Sequence, residues 1–158
     1  MTRFKVDWLE SVQRGNGIRG TGRNKLRTYS CFKNDFETEL YCSLILPPRH
    51  RSAFCKFRCG VAPIRIETGR YENLPENERT CPFCFEVEDE IHVLFNCILY
   101  IDLRQPLISK AMELCNDFSA KSLLERLIFL FTHPDLVRLC AKTCFEILRR
   151  RSACLNKT

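Results

Sequence analysis

The feature that most restricts this chain is one short stretch, Cys81-Pro82-Phe83-Cys84 followed by His92 and Cys97, which has the form C-x2-C-x7-H-x4-C. Two thiolates separated by two residues can face one ion from a tight turn, and a following helix can carry an imidazole and a third thiolate across to complete a tetrahedron. Three sulfurs and one nitrogen are the donor set of a closed structural zinc site. Cys81, Cys84, His92 and Cys97 are therefore predicted to hold one Zn2+ with no open coordination position. His92 and Cys97 stand five residues apart, about 140° around a regular α-helix, so the helix carrying them must break near Asn96 for both to reach one ion. Glu88, Asp89 and Glu90 suit the positive end of that helix, and Ile91, Leu94, Phe95 and Ile98 form its apolar face.

Elsewhere the apolar residues keep a helical period. Leu26, Tyr29, Phe32 and Phe36 recur at three- and four-residue steps and predict one helix, and Glu39 to Leu46 predicts a second, stopped by Pro47-Pro48. Arg49 to Gly60 predicts a basic amphipathic helix closed by glycine, with Ala53, Phe54 and Phe57 on one face and Arg51 and Arg58 on another. Pro106 and the Ser119 region punctuate three further runs. These are Leu107 to Cys115, a run to Phe131 opened by a capping box at Ser122 and Glu125, and a run from Pro134 to Arg151 with Leu136, Leu139, Cys140, Cys144, Ile147 and Leu148 in period. No long strand and no repeat is visible.

The predicted fold class is mostly α, a small helical domain with an embedded CCHC zinc module. At 158 residues the chain has about one domain's length and can bury a core without disulfides. Its expected organisation is a flexible glycine-rich segment over 1–24, a basic helical region over 25–75, the zinc module over 76–106, and a C-terminal helical region over 107–158 on the same core.

Eleven cysteines scattered through a chain whose first residues hold no apolar signal core predict a reducing compartment, cytoplasmic or nuclear. No apolar run approaches the roughly 20 residues of a membrane span. Cys55 with Cys59, and Cys140 with Cys144, are spaced i,i+4 and are expected as small buried apolar residues rather than a second zinc site. The net charge of +6 is uneven: Lys and Arg outnumber Asp and Glu 15 to nine over residues 1–80 and nine to five over 107–158, but fall one to five over 81–106. The acidic metal segment is thus a poor phosphate magnet, and any polyanion should meet its flanks. Arg49, Arg51, Lys56, Arg58, Arg65 and Arg70 are the predicted nucleic-acid contacts, with Arg149-Arg150-Arg151 as a second candidate surface. Tyr71 and Phe83 could stack on unpaired bases or serve as core.

No catalytic pattern is present. Pro134-Asp135 could open a PD-(D/E)xK nuclease motif, but Glu146 is followed by Ile147-Leu148 with no lysine in the required place, and no phosphate-binding loop, nucleophile elbow or H-E-x-x-H occurs. No enzymatic activity is expected.

Several stretches together resemble the C-terminal region of the reverse transcriptase of LINE-type (non-LTR) retrotransposons. They are Lys25-Leu26-Arg27-Thr28-Tyr29, Arg51 to Arg58, Glu67-Thr68-Gly69-Arg70-Tyr71, Arg79 to Cys84, Val87 to His92, Cys97, Tyr100 and Leu103-Arg104. Ile98 stands where such motifs often carry proline, and Cys55 and Cys59 replace commoner aliphatic or hydroxyl residues. The resemblance implies a zinc-stabilised domain that grips template RNA or target DNA during target-primed reverse transcription, beside the polymerase portion. The Tyr/Phe-x-Asp-Asp polymerase signature is missing. The competing expectation is a zinc-stapled protein-interaction or purely structural module that binds no nucleic acid.

Overall fold

The computed structural model describes residues 3–7 and 28–156. Most of the segment expected to be flexible, and Leu26 with it, lies outside them. Within 3–7, one helical turn, the Phe4 ring meets Phe36 edge-on at 5.7 Å. The described residues are mostly helical with no strand; one antiparallel bridge joins Thr80 to Val87. In chain order the α-helices are α1 (Tyr29–Phe32), α2 (Leu40–Ser43), α3 (Pro48–Cys59), α4 (Arg65–Tyr71), α5 (Ile101–Leu114), α6 (Leu123–Thr132) and α7 (Val137–Leu155).

Helix α7 is the central element, packing against α3, α5 and α6. Its inner face, Val137, Cys140, Ala141, Cys144 and Ile147, is fully buried, as the 3.6-residue period requires. An aromatic stack fills the other side of the core: Phe54 of α3 lies on Phe131 of α6 at 4.9 Å, and Phe32 of α1 meets Phe131 at 5.3 Å. Cys140 and Cys144 are core residues, and all eleven cysteines are unbridged.

Helix boundaries follow local chemistry. Pro48 takes the first turn of α3, where its missing N–H costs nothing. Gly60 ends α3 in the left-handed region at φ 70°, with its N–H on Phe57 O at 3.1 Å and Val61 N–H on Lys56 O at 2.9 Å, the bond pair of a Schellman cap. The capping box of α6 is complete: Glu125 N–H donates to Ser122 Oγ at 3.3 Å and Ser122 N–H to Glu125 Oε2 at 2.8 Å.

Helix α2, expected over Glu39 to Leu46, covers only Leu40–Ser43, and three further boundaries depart from expectation. The described part of the run expected from Leu26 to Phe36, residues 28–36, forms only the turn Tyr29–Phe32, and Asp35 Oδ1 takes the Glu37 N–H at 3.0 Å, offering the backbone an alternative to the helix. Helix α5 begins at Ile101 and runs through Pro106, so the division expected at 106/107 falls inside one helix. Pro106 lacks the N–H that would reach Asp102 O, four residues back, and its ring crowds that carbonyl. Helix α7 starts at Val137, not at Pro134, because the N–H groups of Leu136 and Val137 both turn back to His133 O, at 3.0 and 3.2 Å.

Candidate metal centre

The Cys81–Cys84 turn is built by backbone bonds. Phe85 N–H donates to Cys81 O at 2.9 Å, Cys81 N–H to Glu86 O at 2.7 Å, and Glu88 N–H to Arg79 O at 2.9 Å, so the chain folds back on itself around the two thiols. Phe85 sits at φ 61°, a conformation that costs a side-chain-bearing residue about 1–2 kcal/mol. Arg79 clamps the base of this turn, donating to Ile66 O at 3.0 Å and, through Nε and Nη2, to Leu74 O at 3.0 and 2.8 Å. Its side chain passes over Gly69, where a Cβ would lie 2.6 Å from Arg79 Cγ, which explains the glycine in the Gly69-Arg70-Tyr71 stretch.

The second half of the site meets the predicted helix break. Asp89 Oδ1 caps the helix by accepting His92 N–H at 2.7 Å. Residues His92–Asn96 are wound as a π-turn, and Cys97 N–H closes an i→i+5 bond to His92 O at 2.7 Å. The wider turn, followed by Cys97 in an extended conformation, brings together two side chains that a regular helix would hold about 140° apart. Ile98 therefore leaves the apolar face and is exposed, while Leu94 stays buried.

The ligand atoms of Cys81, Cys84, His92 and Cys97 all lie within 4.8 Å of one another, a cluster that can hold a metal ion. Among the described residues no other such group occurs. Cys97 Sγ is 3.6 Å from Cys84 Sγ and 3.9 Å from Cys81 Sγ. A tetrahedral ion with bonds of about 2.3 Å to sulfur separates its sulfurs by about 3.8 Å, so these distances fit one. The imidazole makes an independent test. His92 Nδ1 lies 3.1 Å from Glu86 Oε2, an exposed carboxylate that accepts its proton, while the buried Nε2 has no partner. An orphaned buried nitrogen beside three sulfurs is the lone pair a metal would take, with Glu86 fixing the tautomer from behind. Burial raises the Cys81 thiol and pushes the Cys97 thiol up to about 12, so without a cation both keep their protons at neutral pH.

Replacing Glu86 with Ala is expected to weaken metal affinity by about 10- to 100-fold while one equivalent still binds. Competition against a chromogenic chelator reads this directly, and unchanged affinity would show that the Glu86 contact does not orient His92.

The structure redistributes the predicted cationic contacts. Arg58 is corrected from a surface contact to a core residue: it is 3% exposed, ion-paired with Glu39, and its guanidinium lies 4.6 Å from the Phe32 ring centroid and 5.5 Å from that of Tyr41. Arg51 is also turned inward, donating to Tyr41 O at 2.8 Å and to Leu44 O, the carbonyls left open where α2 ends. Arg65 forms a two-bond pair with Glu72 at 2.6 and 2.9 Å, and Arg70 pairs with Glu67 at 2.9 Å. Arg49 and Lys56 remain exposed without a carboxylate partner among the described residues. In the arginine triplet, Arg149 pairs with Glu146 and Arg150 with Asp102, while Arg151 enters the core.

Glu88 is the residue whose role the helix-dipole argument missed. It is 0% exposed, accepts Arg151 Nε at 2.9 Å and Nη2 at 2.7 Å, and takes Arg65 N–H at 2.6 Å, so it joins the metal turn to the start of α4 and the end of α7. The only sequence signals for this pair were one more acid than the helix start needed and an arginine on the inner face of α7. No helix among the described residues is long and apolar enough to cross a membrane. Comparison with family models, with curated proteins and with solved structures returns no match for this chain.

Proposed function

We propose that the chain is a zinc-stapled nucleic-acid-binding domain that grips RNA or DNA without catalysing, as its resemblance to the tail of LINE-type reverse transcriptases implies. Three thiolates with one imidazole favour a soft or borderline ion, and a closed tetrahedral set of this kind is the usual home of zinc. In this reading the ion folds the domain, and with a net charge of about −1 on the loaded cluster the binding falls to another surface.

The observation that carries the reading is the charge of the two helices packed along each other, α3 and α7. The sequence of α3 contains no acidic residue and that of α7 only Glu146, against four and five Lys or Arg. Once Arg51, Arg58, Arg150 and Arg151 are spent internally, Arg49, Lys56 and Lys142 remain exposed without a carboxylate partner among the described residues, beside the exposed Arg138, which donates to Ile45 O at 2.6 Å, and Arg149, which pairs with Glu146. Arg138, Lys142, Phe145 and Arg149 follow one another at helical spacing along α7, and Arg49 of α3 reaches across to lie 5.6 Å from the Phe145 ring centroid. Lys56 is two turns further along α3 on the side of Arg49.

Binding to RNA and DNA oligonucleotides across a salt series tests the proposal. Log affinity should fall linearly with log salt, with a slope of about −0.7 to −0.9 for each phosphate engaged. The double variant Arg49→Glu, Lys142→Glu should weaken binding to every sequence and flatten the slope by about 2, while Arg150→Ala leaves it unchanged. Binding that is absent, or indifferent to salt, would leave a zinc-folded protein-interaction module as the surviving reading.

A further inference from the structure

We infer that the recess beside the metal turn holds one unpaired nucleobase stacked on Phe85, with its flanking phosphate on Arg65. This rests on the nucleic-acid reading above and adds to it the point at which a single strand, rather than a duplex, is recognised.

The recess has a volume of about 520 Å³ and is lined by Arg65, Thr68, Thr80, Pro82, Phe85 and Leu155 together with Cys81 and Arg151. That is room for a base-sized group. Phe85 is 80% exposed, although burial is the ordinary fate of so large an apolar side chain. It also occupies a left-handed backbone position at φ 61° that favours glycine. Neither the core nor the backbone accounts for an aromatic ring there. The ring is presented by a rigid support, because the turn beneath it is closed by the Phe85 N–H bond to Cys81 O and belongs to the metal site. Every base offers a π-face to such a platform, and a base inside a duplex has both faces covered by its neighbours.

The polar lining completes the fit. Among the described residues the Arg65 guanidinium is tied to Glu72, an exposed carboxylate, and exposed pairs of this kind exchange readily, while its backbone N–H stays on Glu88; a phosphate would keep the same two-bond geometry. Thr68 and Thr80 have side-chain hydroxyls with no protein partner among the described residues. Arg151 is held by Glu88 and contributes shape rather than free charge. The acidic metal turn disfavours a phosphate directly over Phe85, which leaves that contact to Arg65 across the recess. Of the two aromatics the sequence suggested for stacking, Phe83 packs against the core and Tyr71 is exposed on α4 with its hydroxyl on Glu67.

The test compares affinities of the metal-loaded full chain for an unstructured single-stranded oligonucleotide and for the matching duplex at one salt concentration. Phe85→Ala should weaken single-strand binding by roughly five- to a hundredfold and leave duplex binding unchanged, and Phe85→Tyr should restore it. If Phe85→Ala does not fold, Phe85→Leu against Phe85→Tyr carries the same comparison, since leucine keeps bulk without a π-face. Equal losses on both substrates, no loss, or no rescue by tyrosine overturns the assignment. Single-strand binding that ignores Phe85 but falls with Lys142→Glu overturns it while the broader reading stands; a wild-type chain that binds neither substrate overturns both.

Discussion

A chelator that removes the metal is expected to unfold the domain, with far-ultraviolet circular dichroism losing most of its helical signal in one cooperative step. Structural zinc sites contribute about 10–16 kcal/mol of apparent binding free energy at neutral pH, comparable to or larger than the whole stability of a typical domain at about 5–15 kcal/mol. Between Arg79 and Asn96 the chain has little regular structure, and besides the metal its anchors are the Glu88–Arg151 pair and the Arg79 clamp. One bridge, a short turn and a single π-turn supply its regular structure, yet Cys81, His92 and Cys97 are buried and Leu94 is anchored in the core. Cys84→Ser and His92→Ala should reproduce the effect, and bound metal should fall from one equivalent to none. A chain that keeps its helical signal and a cooperative melt after metal loss would show that the site is not a staple.

The pH response of the loaded protein follows from the same site. In the loaded fold the thiols are held as thiolates, and protons compete with the ion, so stability is present at neutral pH and lost as pH falls. Acidification should therefore release metal and unfold the protein together.

The Cys81, Cys84, His92 and Cys97 cluster was legible in the sequence because coordination chemistry tolerates few spacings, and Asn96 could be named as the break because an α-helix cannot point residues five apart at one atom. Helix α3 was legible from its apolar face and glycine end, though Pro47-Pro48 was read as the stop of the helix before it, and the capping box of α6 was legible from two residues. What stayed hidden depended on partners distant in sequence. Arg58 looked like a solvated charge because amphipathic patterns assume that arginines face water. Glu39 and the rings of Phe32 and Tyr41 make its burial tolerable, and none of them is visible from within α3. Glu88 looked like a helix-start carboxylate because its partner stands 63 positions away.

That partner defines the second large effect. Arg151→Ala leaves Glu88 buried without its cation, and breaking a buried pair from one side costs about 3–5 kcal/mol, a fall in melting temperature on the order of 10 °C for a domain of this size. The neighbouring Arg150 offers a control in the same helix. Its pair with Asp102 holds that carboxyl below its ordinary range, but Asp102 is largely exposed, so Arg150→Ala, which also gives up a bond to Leu99 O at 3.0 Å, should cost far less. Adjacent arginines with the same kind of partner should thus differ several-fold in importance because one pair is dry and the other wet. Replacing both buried partners, Glu88→Leu with Arg151→Met, should recover much of the loss, since no uncompensated charge remains. The recovery should be incomplete, because the Arg65 N–H that Glu88 accepts at 2.6 Å would lose its acceptor at the start of α4. Denaturant melts of the four metal-loaded proteins decide the matter, and equal stability of Arg150→Ala and Arg151→Ala would show that Glu88 does not depend on Arg151.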